Sequence, residues 1–252
     1  GGGATGSAGL GDGQAASWAV QEAEVGAREH EDPFLDERDG LGGAVGVDRH
    51  RVVHSAAFRR LQYKTQVFLT GEGDHFRTRL THTLEVASVA GRLAGLLGLH
   101  RGLSESIALA HDLGHGPFGH AGELELDARM AEHGGGGFNH NEHSLRVVEL
   151  LEHPYPAFRG LNLTLAVRAG LARHSGAHDR PGSHRLADGL AGTLEGQAAS
   201  LADRIAYNGH DIEDGLAAGL IVESDSMGVG LWAEASAGVR GRWGESSVLA
   251  VR

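Results

Sequence analysis

The chain has 252 residues, a formal net charge of −11 and no cysteine. The missing thiols exclude disulfides and thiolate metal ligands, and the acidic balance argues against broad non-specific binding to nucleic acids. Hydrophobic residues make up 40% of the chain and aromatic residues 5%, so the core must consist mostly of Leu, Val and Ala, which favours helices.

The first 30 residues are rich in Gly, Ala and Glu. Such a segment buries too little apolar surface to offset the entropy lost on ordering, so residues 1–30 are predicted to be disordered, with at most a loose helix near Ala16 to Ala27. The chain shows no charged-then-apolar leader and no apolar run of the roughly 18 residues that a membrane span needs. We therefore expect a cytoplasmic protein without a secretion signal or membrane span.

A helix-like apolar stripe begins after Asp48, where Val53, Ala57 and Leu61 follow helical spacing. Arg and Lys residues make the same segment locally basic. This basic face fits either a solvated surface or a surface turned towards phosphate, and the pattern does not choose between them. Strand-like alternation is almost absent from the chain, so residues 31–220 are predicted to form an all-α domain.

The next helix is predicted from Arg77 to Ala94, after a turn at residues 71–74. Arg79 and His82 stand at i, i+3 on this helix and therefore share a face. A metal ligand with a guanidinium one turn away suits a bound phosphate. Taken alone, however, a helical His is more often packed in a core than bound to a ligand.

The densest group of potential ligands lies between His111 and Glu123, where thirteen residues include three His, one Asp and one Glu. A buried helix from about Ser104 is predicted to end at His111-Asp112, and the Gly and Pro residues that follow turn the chain. The turn brings three further polar residues back over the same pocket: His115, His120 and Glu123. Imidazole and carboxylate together suit a first-row divalent metal ion.

Two later histidines, His140 and His143, open another amphipathic helix and can point into a pocket. Residues 173–186 are polar and contain Gly and Pro, which predicts a loop. We expect the three histidines of that loop to be solvated: His174, His178 and His184.

The last strong pattern is a helix from Thr193 to Asp211. Its predicted buried stripe comprises Leu194, Ala198, Leu201 and Ile205. Asp203, Tyr207 and Asp211 follow one another at i+4 steps and share one face, which favours a pocket wall over a random surface. Residues 221–252 lose this periodicity, so an irregular tail is expected there.

The order His82, His111-Asp112, Asp203 is the signature of the HD-domain metal phosphohydrolases. Five ordered motifs make the chain resemble, more closely, the deoxyguanosinetriphosphate triphosphohydrolase-like proteins, which cleave a dNTP to deoxynucleoside and inorganic triphosphate. The motifs are RRLQYKTQVF (59–68), RTRLTHTLEV (77–86), HDLGHGPFGHAGE (111–123), HNEHSLR (140–146) and ADRIAYNGHD (202–211). The resemblance implies an HD-domain helical bundle and a dNTP substrate.

The resemblance also implies roles for individual residues. One divalent metal ion per chain, Mn²⁺, Mg²⁺ or Fe²⁺, would be held by His82, His111, Asp112 and Asp203. The residues around the α-phosphate would be His115, His120, Glu123 and His140. His120 and Glu123 resemble the pair linked to attack or water activation, and His115 and His140 the donors to the developing charge.

Substrate contacts follow from the same resemblance. Arg79 matches a phosphate-contacting Arg. Gln66 and Asp211 match residues that bond the 3′-hydroxyl of the deoxyribose, and Tyr207 would crowd a 2′-hydroxyl. The metal-ligand set by itself also fits another HD phosphohydrolase that acts on nucleoside monophosphates or cyclic nucleotides.

The chain departs from the family pattern at His143, where Gln is frequent, and at Gly116, where bacterial members often have Pro. Family members usually continue with a helical region that supplies basic residues and oligomer contacts, so residues 221–252 suggest a truncated C-terminal region. A catalytically impaired nucleotide-binding fragment is therefore a third interpretation. A homo-oligomer is implied by the family and weakened by the short C-terminal part, and binding of single-stranded nucleic acid gains no support from the acidic charge.

Overall fold

The structure, a computed structural model, describes residues 16–21, 24–32, 41–66, 77–174, 186, 192–226 and 228–244. Throughout these ranges the regular elements are helices, apart from one isolated antiparallel bridge between Thr65 and Thr78. The predicted all-α fold class is confirmed. The expectations for residues 1–15, for the turn at 71–74 and for His178 and His184 lie outside the described residues.

The helices begin and end as follows in chain order: α1 (Gly43–Val53), α2 (Ala56–Arg60), a 3₁₀ turn (Leu61–Tyr63), α3 (Arg79–Leu97), α4 (Arg101–Ala110), α5 (Gly119–Glu132), α6 (His140–Arg146), a π-helical turn (Val147–Leu151), α7 (Leu165–Ala172), α8 (Leu194–Ala217), α9 (Glu223–Ser226) and α10 (Gly230–Trp243). Among the described helices, none combines the length and the apolar character needed to cross a bilayer.

Helix α4 lies at the centre of the bundle. It packs against α1, α3, α7 and α8, and Leu103, Ile107 and Ala108 on it are fully buried. Gly170 of α7 permits one of these close contacts, because a Cβ there would lie 2.3 Å from Ile107 Cδ1. The His111-Asp112 pair follows directly on this helix, so the packing of the core fixes where the pair stands.

Helix α8 turns a different face to the core from the one predicted. Leu194, Leu201 and Ile205 are 42%, 49% and 47% exposed, whereas the neighbouring Ala199 and Ala202 are fully buried. The helix packs against α3 and α4, and the small residues buried on it, among them Ala199, Ala202 and Ala206, allow a close approach between helices. The predicted burial of Ala198 is confirmed, and that of the three larger residues is wrong.

The tail also differs from expectation, because residues 223–226 and 230–243 are helical where irregular structure was predicted. Helix α10 buries Trp232 and Ser236, and Val229 before it and Leu231 in its first turn are exposed. The apolar residues of this helix do not fall on one stripe, which is why the periodicity of the sequence gave no signal.

The segment at residues 16–32 was predicted to be disordered or loosely helical, but its described residues lie in irregular conformation against the bundle. Val25 is buried, and its carbonyl accepts a hydrogen bond from Ala166 N at 3.0 Å. Val20 N donates to Glu195 Oε1 at 2.9 Å. These contacts are long-range, and composition alone therefore did not predict them.

Asp48 joins this segment to the bundle. Its side chain is fully buried and forms an ion pair with Arg28 Nη1 at 2.5 Å. It also accepts hydrogen bonds from the backbone N of Thr164 at 2.9 Å and from its hydroxyl at 2.6 Å. One carboxylate thus connects α1, the start of α7 and the chain before α1.

We expect Asp48→Ala to lower the free energy of unfolding by about 3–5 kcal/mol, because it breaks the ion pair with Arg28 and removes the acceptor of the buried backbone N and hydroxyl of Thr164. The measurement is urea unfolding followed by circular dichroism. Arg49→Ala is the matched control, since Arg49 is 58% exposed and lies 3.3 Å from Glu105. Such surface pairs contribute about 0–1 kcal/mol. Equal losses in the two variants would contradict the central role of Asp48.

Candidate active site

Three helices bring the four predicted metal ligands together. His82 lies on α3, His111 and Asp112 follow α4, and Asp203 lies on α8. His82 Nε2 is 3.0 Å and His111 Nε2 3.8 Å from the same oxygen, Asp203 Oδ1. His111 Nε2 is 3.5 Å from Asp112 Oδ1. The helices therefore converge as the sequence predicted, while the role of these residues as metal ligands stays a prediction.

Neighbouring groups orient these side chains. His111 Nδ1 donates to the carbonyl of Ala108 at 2.6 Å, which leaves its Nε2 facing the site. Arg79 Nη1 donates to Asp112 Oδ2 at 2.8 Å, and both side chains are buried. The second carboxylate oxygen of Asp112 is then the one nearest His111.

The electrostatics of the site favour a cation. Burial opposes ionisation of Asp112, but the Arg79 guanidinium and the imidazoles around it outweigh burial, so the pKa of Asp112 lies well below its usual range. Burial likewise opposes ionisation of Asp203, and hydrogen bonds from His174 and His82 more than offset it and lower its pKa. Two ionised carboxylates beside two imidazole nitrogens fit a first-row divalent ion.

His174 was predicted to be solvated, and this prediction is wrong. The residue is buried, with Nε2 3.5 Å from Asp203 Oδ2 and its ring centroid 4.9 Å from that of His111. Its Nδ1 lies 3.3 Å from Ser200 Oγ. A signal was present in the sequence, because His174 follows the end of a buried helix just as His111 does.

A second cluster contains His115, His120, Glu123 and His140, whose ligand-type atoms lie within 4.8 Å of one another. Glu123 joins its members. It accepts from the backbone N of His140 at 2.8 Å and faces His140 Nδ1 at 2.9 Å and His120 Nδ1 at 3.4 Å. Burial opposes ionisation of Glu123, but these hydrogen bonds outweigh burial and lower its pKa.

His115 completes this cluster by stacking on His140, with 4.5 Å between ring centroids. Burial, assisted by the charge of Arg79, lowers the pKa of His115 to about 3, so its ring is neutral near pH 7. Its Nδ1 lies 3.1 Å from the carbonyl of Gly116, which can only accept a proton. Nε2 of His115 therefore carries the lone pair, and this buried atom has no hydrogen-bond partner in the described part of the chain.

Both clusters open onto one cavity of about 340 Å³. Its lining includes the predicted site residues Gln66, Arg79, His82, His111, Asp112, His115, His120, His140, Asp203 and Tyr207. Glu123 and Asp211 stand behind this lining. Glu123 holds the two histidines, and Asp211 forms a hydrogen bond with Tyr207. His174, Phe118, Gly119, Ala121, Arg204 and Asn208 also line the cavity and were not among the predicted site residues.

The turn after His111-Asp112 is fixed from the other side by α6. Ser144 Oγ donates to the carbonyl of His111 at 2.7 Å and accepts from Gly114 N at 2.9 Å. Gly114 has no room for a side chain, because a Cβ there would lie 2.1 Å from Ser144 N and 2.4 Å from His143 C. At Gly116 the nearest atom to such a Cβ would be Phe138 Cε1, at 3.9 Å.

Comparison with known proteins agrees with this geometry. The family model for the HD domain matches residues 79–208, which include all four predicted metal ligands and both clusters. Three curated relatives bear the name deoxyguanosinetriphosphate triphosphohydrolase-like protein.

The three relatives are between 49% and 55% identical to the chain where they align. The protein of Geobacter metallireducens is 49% identical over 226 residues, 89% of this chain and 57% of the relative. That of Caulobacter vibrioides is 52% identical over 197 residues, which are 73% of this chain and 50% of the relative. That of Thiobacillus denitrificans is 55% identical over 178 residues, which are 69% of this chain and 47% of the relative. The chain thus spans about half to three fifths of the length of these relatives.

The two glycines of the turn make a sharp test of the site. We expect Gly114→Ala to destabilise the protein by about 1–3 kcal/mol or more, because the added methyl meets backbone atoms that cannot move without separating α6 from the turn. Gly116→Ala should change stability by less than about 1 kcal/mol. Thermal and urea unfolding measure both. A Gly114→Ala variant as stable as Gly116→Ala would contradict the packing described.

Proposed function

The chain belongs to the HD-domain family, and from that premise we propose that it is a metal-dependent triphosphohydrolase that cleaves dGTP or a related dNTP to deoxynucleoside and inorganic triphosphate. The names of the relatives support this substrate class. The observation that carries the proposal is a single cavity in which the two imidazoles and two carboxylates stand beside Arg79 and a polar wall containing Gln66 and Tyr207.

A divalent ion, Mn²⁺, Mg²⁺ or Fe²⁺, would be held by His82, His111, Asp112 and Asp203. When bound, such an ion supplies Lewis-acid stabilisation of the negative charge that develops on the α-phosphate. The low pKa values of Asp112 and Asp203 support this assignment, since both carboxylates are ionised near pH 7. Arg79, held by Asp112, adds a fixed positive charge for the phosphates.

The reaction needs a water molecule that attacks the α-phosphorus and loses a proton. A bond forms between the water oxygen and phosphorus, the bond from phosphorus to the 5′-oxygen breaks, and the 5′-oxygen takes from the solvent a proton that balances the one lost by the attacking water. His120 is suited to accept the proton of the water, because it lines the cavity and the ionised Glu123 beside its Nδ1 stabilises the protonated ring.

For His115 we propose a role that differs from the one that the resemblance implies. The resemblance gives it a donor role towards the developing charge. Its Nδ1 faces the carbonyl of Gly116 and its pKa lies near 3, which favours a neutral ring that accepts a hydrogen bond at Nε2. We therefore assign to His115 the orientation of a water molecule or a hydroxyl in the cavity, and leave the donor role to His140.

The polar wall that contains Gln66 and Tyr207, here called the sugar wall, fits a deoxyribose. Gln66 Oε1 is buried and has no hydrogen-bond partner among the residues that the structure describes, so it is available to accept from the 3′-hydroxyl. The hydrogen bond with Asp211 fixes the Tyr207 side chain at the cavity. A 2′-hydroxyl would then meet the bulk of this ring.

Product analysis tests the proposed reaction. Incubation with each of the four dNTPs and Mn²⁺ or Mg²⁺ should release deoxynucleoside and inorganic triphosphate in equal amounts, measured by chromatography. His111→Ala should lower the rate by more than about 100-fold, since it removes a ligand of the ion that stabilises the transition state. His133→Ala, an exposed histidine at the end of α5, should keep the wild-type rate.

Two results would contradict this function. Release of monophosphate and pyrophosphate would show attack at a different phosphorus. Hydrolysis of nucleoside monophosphates or cyclic nucleotides, with dNTPs untouched, would assign the chain to another group of HD phosphohydrolases.

Sugar selectivity tests the role of Tyr207. We expect Tyr207→Ala to reduce the preference for dGTP over GTP, measured as the ratio of kcat/KM values, by at least about tenfold, because it removes the ring that crowds the 2′-hydroxyl. Tyr207→Phe is the matched control and should keep most of the preference, since the ring remains. An unchanged ratio in Tyr207→Ala would assign the discrimination elsewhere.

A further inference from the structure

A row of three hydrogen-bonded side chains begins at His82, which lines the cavity, and continues behind it through His210 to Glu85. His82 Nδ1 is 3.1 Å from His210 Nδ1, and His210 Nε2 is 2.5 Å from Glu85 Oε2. His210 is buried, while Glu85 is about one third exposed at the end of the row. We propose that His210 and Glu85 are positioning residues that fix the tautomer and direction of His82 and thereby strengthen metal binding, an inference that rests on the metal centre proposed above.

The direction of the hydrogen bonds follows from which atoms can donate. When His82 binds an ion through Nε2, this nitrogen must offer a lone pair, so the proton of the ring must then be on Nδ1. That proton needs an acceptor, and the atom facing it is His210 Nδ1. His210 can accept there only if its own proton is on Nε2, which is the nitrogen that faces the carboxylate of Glu85.

The direction of the His82 ring agrees with this order. Its Nε2 lies 3.0 Å from Asp203 Oδ1 and donates a hydrogen bond to it when no ion is bound, so this nitrogen points into the proposed metal centre, where an ion would replace its proton. The ring planes of His82 and His210 are inclined at 80°, an edge-on arrangement that suits a hydrogen bond and excludes stacking. Because the row ends on a carboxylate, it also raises the electron density at His82 Nε2, which makes this nitrogen a better ligand.

Arg77 holds the outer end of the row. Its Nη1 is 3.5 Å from Glu85 Oε1, and its Nη2 is 2.8 Å from Glu213 Oε2. Two glutamates thus share one guanidinium, and Glu85 is the one whose carboxylate lies 2.5 Å from His210 Nε2. This difference separates a specific effect on His82 from a general effect of surface charge.

The row also gives a role to His210, a residue of the motif ADRIAYNGHD (202–211) that does not belong to the wall around the sugar. Asp203 and His210 lie two turns apart on α8, and His82 and Glu85 lie one turn apart on α3. The row therefore joins α3 to α8 at the level of the candidate metal centre. His82 is held between Asp203 on one side of its ring and His210 on the other.

The test is the affinity of the full chain for Mn²⁺ alone, without nucleotide, measured by calorimetry. The wild type should bind one Mn²⁺ per chain, and Glu85→Gln and His210→Gln should raise the Kd by about 10–100-fold, the usual effect of removing such an outer partner. Glu213→Gln, which removes the other partner of Arg77, should change the Kd by no more than about twofold.

A spectroscopic readout separates positioning from simple destabilisation. In the wild type loaded with Zn²⁺, ¹⁵N NMR should show His82 protonated at Nδ1 with Nε2 bound to the ion. Glu85→Gln should perturb the His82 Nδ1–H signal while the melting temperature of the metal-free protein changes little, because Glu85 is partly exposed. Glu85→Gln therefore remains informative even if the buried His210→Gln variant fails to fold.

Equal Mn²⁺ affinities in Glu85→Gln and Glu213→Gln would overturn the positioning role. A wild type that binds no divalent ion would overturn both this role and the metal-dependent function. Tight Mn²⁺ binding that weakens in Glu85→Gln, without any release of triphosphate from dNTPs, would support the positioning role and contradict the proposed reaction alone.

Discussion

The burial of α4 on several sides is the constraint on which the rest of the structure depends. Because α1, α3, α7 and α8 surround it, the residues that follow its last turn stand at a fixed point inside the bundle. His111 and Asp112 occupy that point, and Ser144 ties the turn after them to α6. The site is therefore held by the same packing that stabilises the core. The surrounding helices α3 and α8 add His82 and Asp203 to the His111-Asp112 pair.

Arg79 connects the two halves of the site. Its guanidinium binds Asp112 and helps to keep His115 neutral, so it acts on both clusters at once. The chain as a whole is acidic, with a formal net charge of −11, so recognition of a phosphate group would depend on local positive charge such as that of Arg79. Under the proposed function, a divalent ion would add to this charge and offset the carboxylates of Asp112 and Asp203.

The sequence predicted the site better than the packing around it. The order of His82, His111-Asp112 and Asp203 resembles the signature of HD-domain phosphohydrolases, and this resemblance implied that three helices converge. Burial on α8 was misjudged, since adjacent stripes of Leu and Ala fit the same periodicity and only the neighbouring helices decide which faces inward. His174 was missed because the polar composition of residues 173–186 indicated a solvated loop, although this residue directly follows a buried helix.

Helix α8 has one further consequence for how a nucleotide would be recognised. Asp203, Tyr207 and Asp211 belong to one uninterrupted helix that runs from Leu194 to Ala217. At about 1.5 Å per residue, the first two stand roughly 6 Å apart along its axis. Because the helix is continuous, the spacing between these side chains is fixed. A nucleotide positioned correctly against Asp203 would therefore also be positioned correctly against Tyr207. A shift or rotation of α8 would displace both side chains together and disturb both contacts.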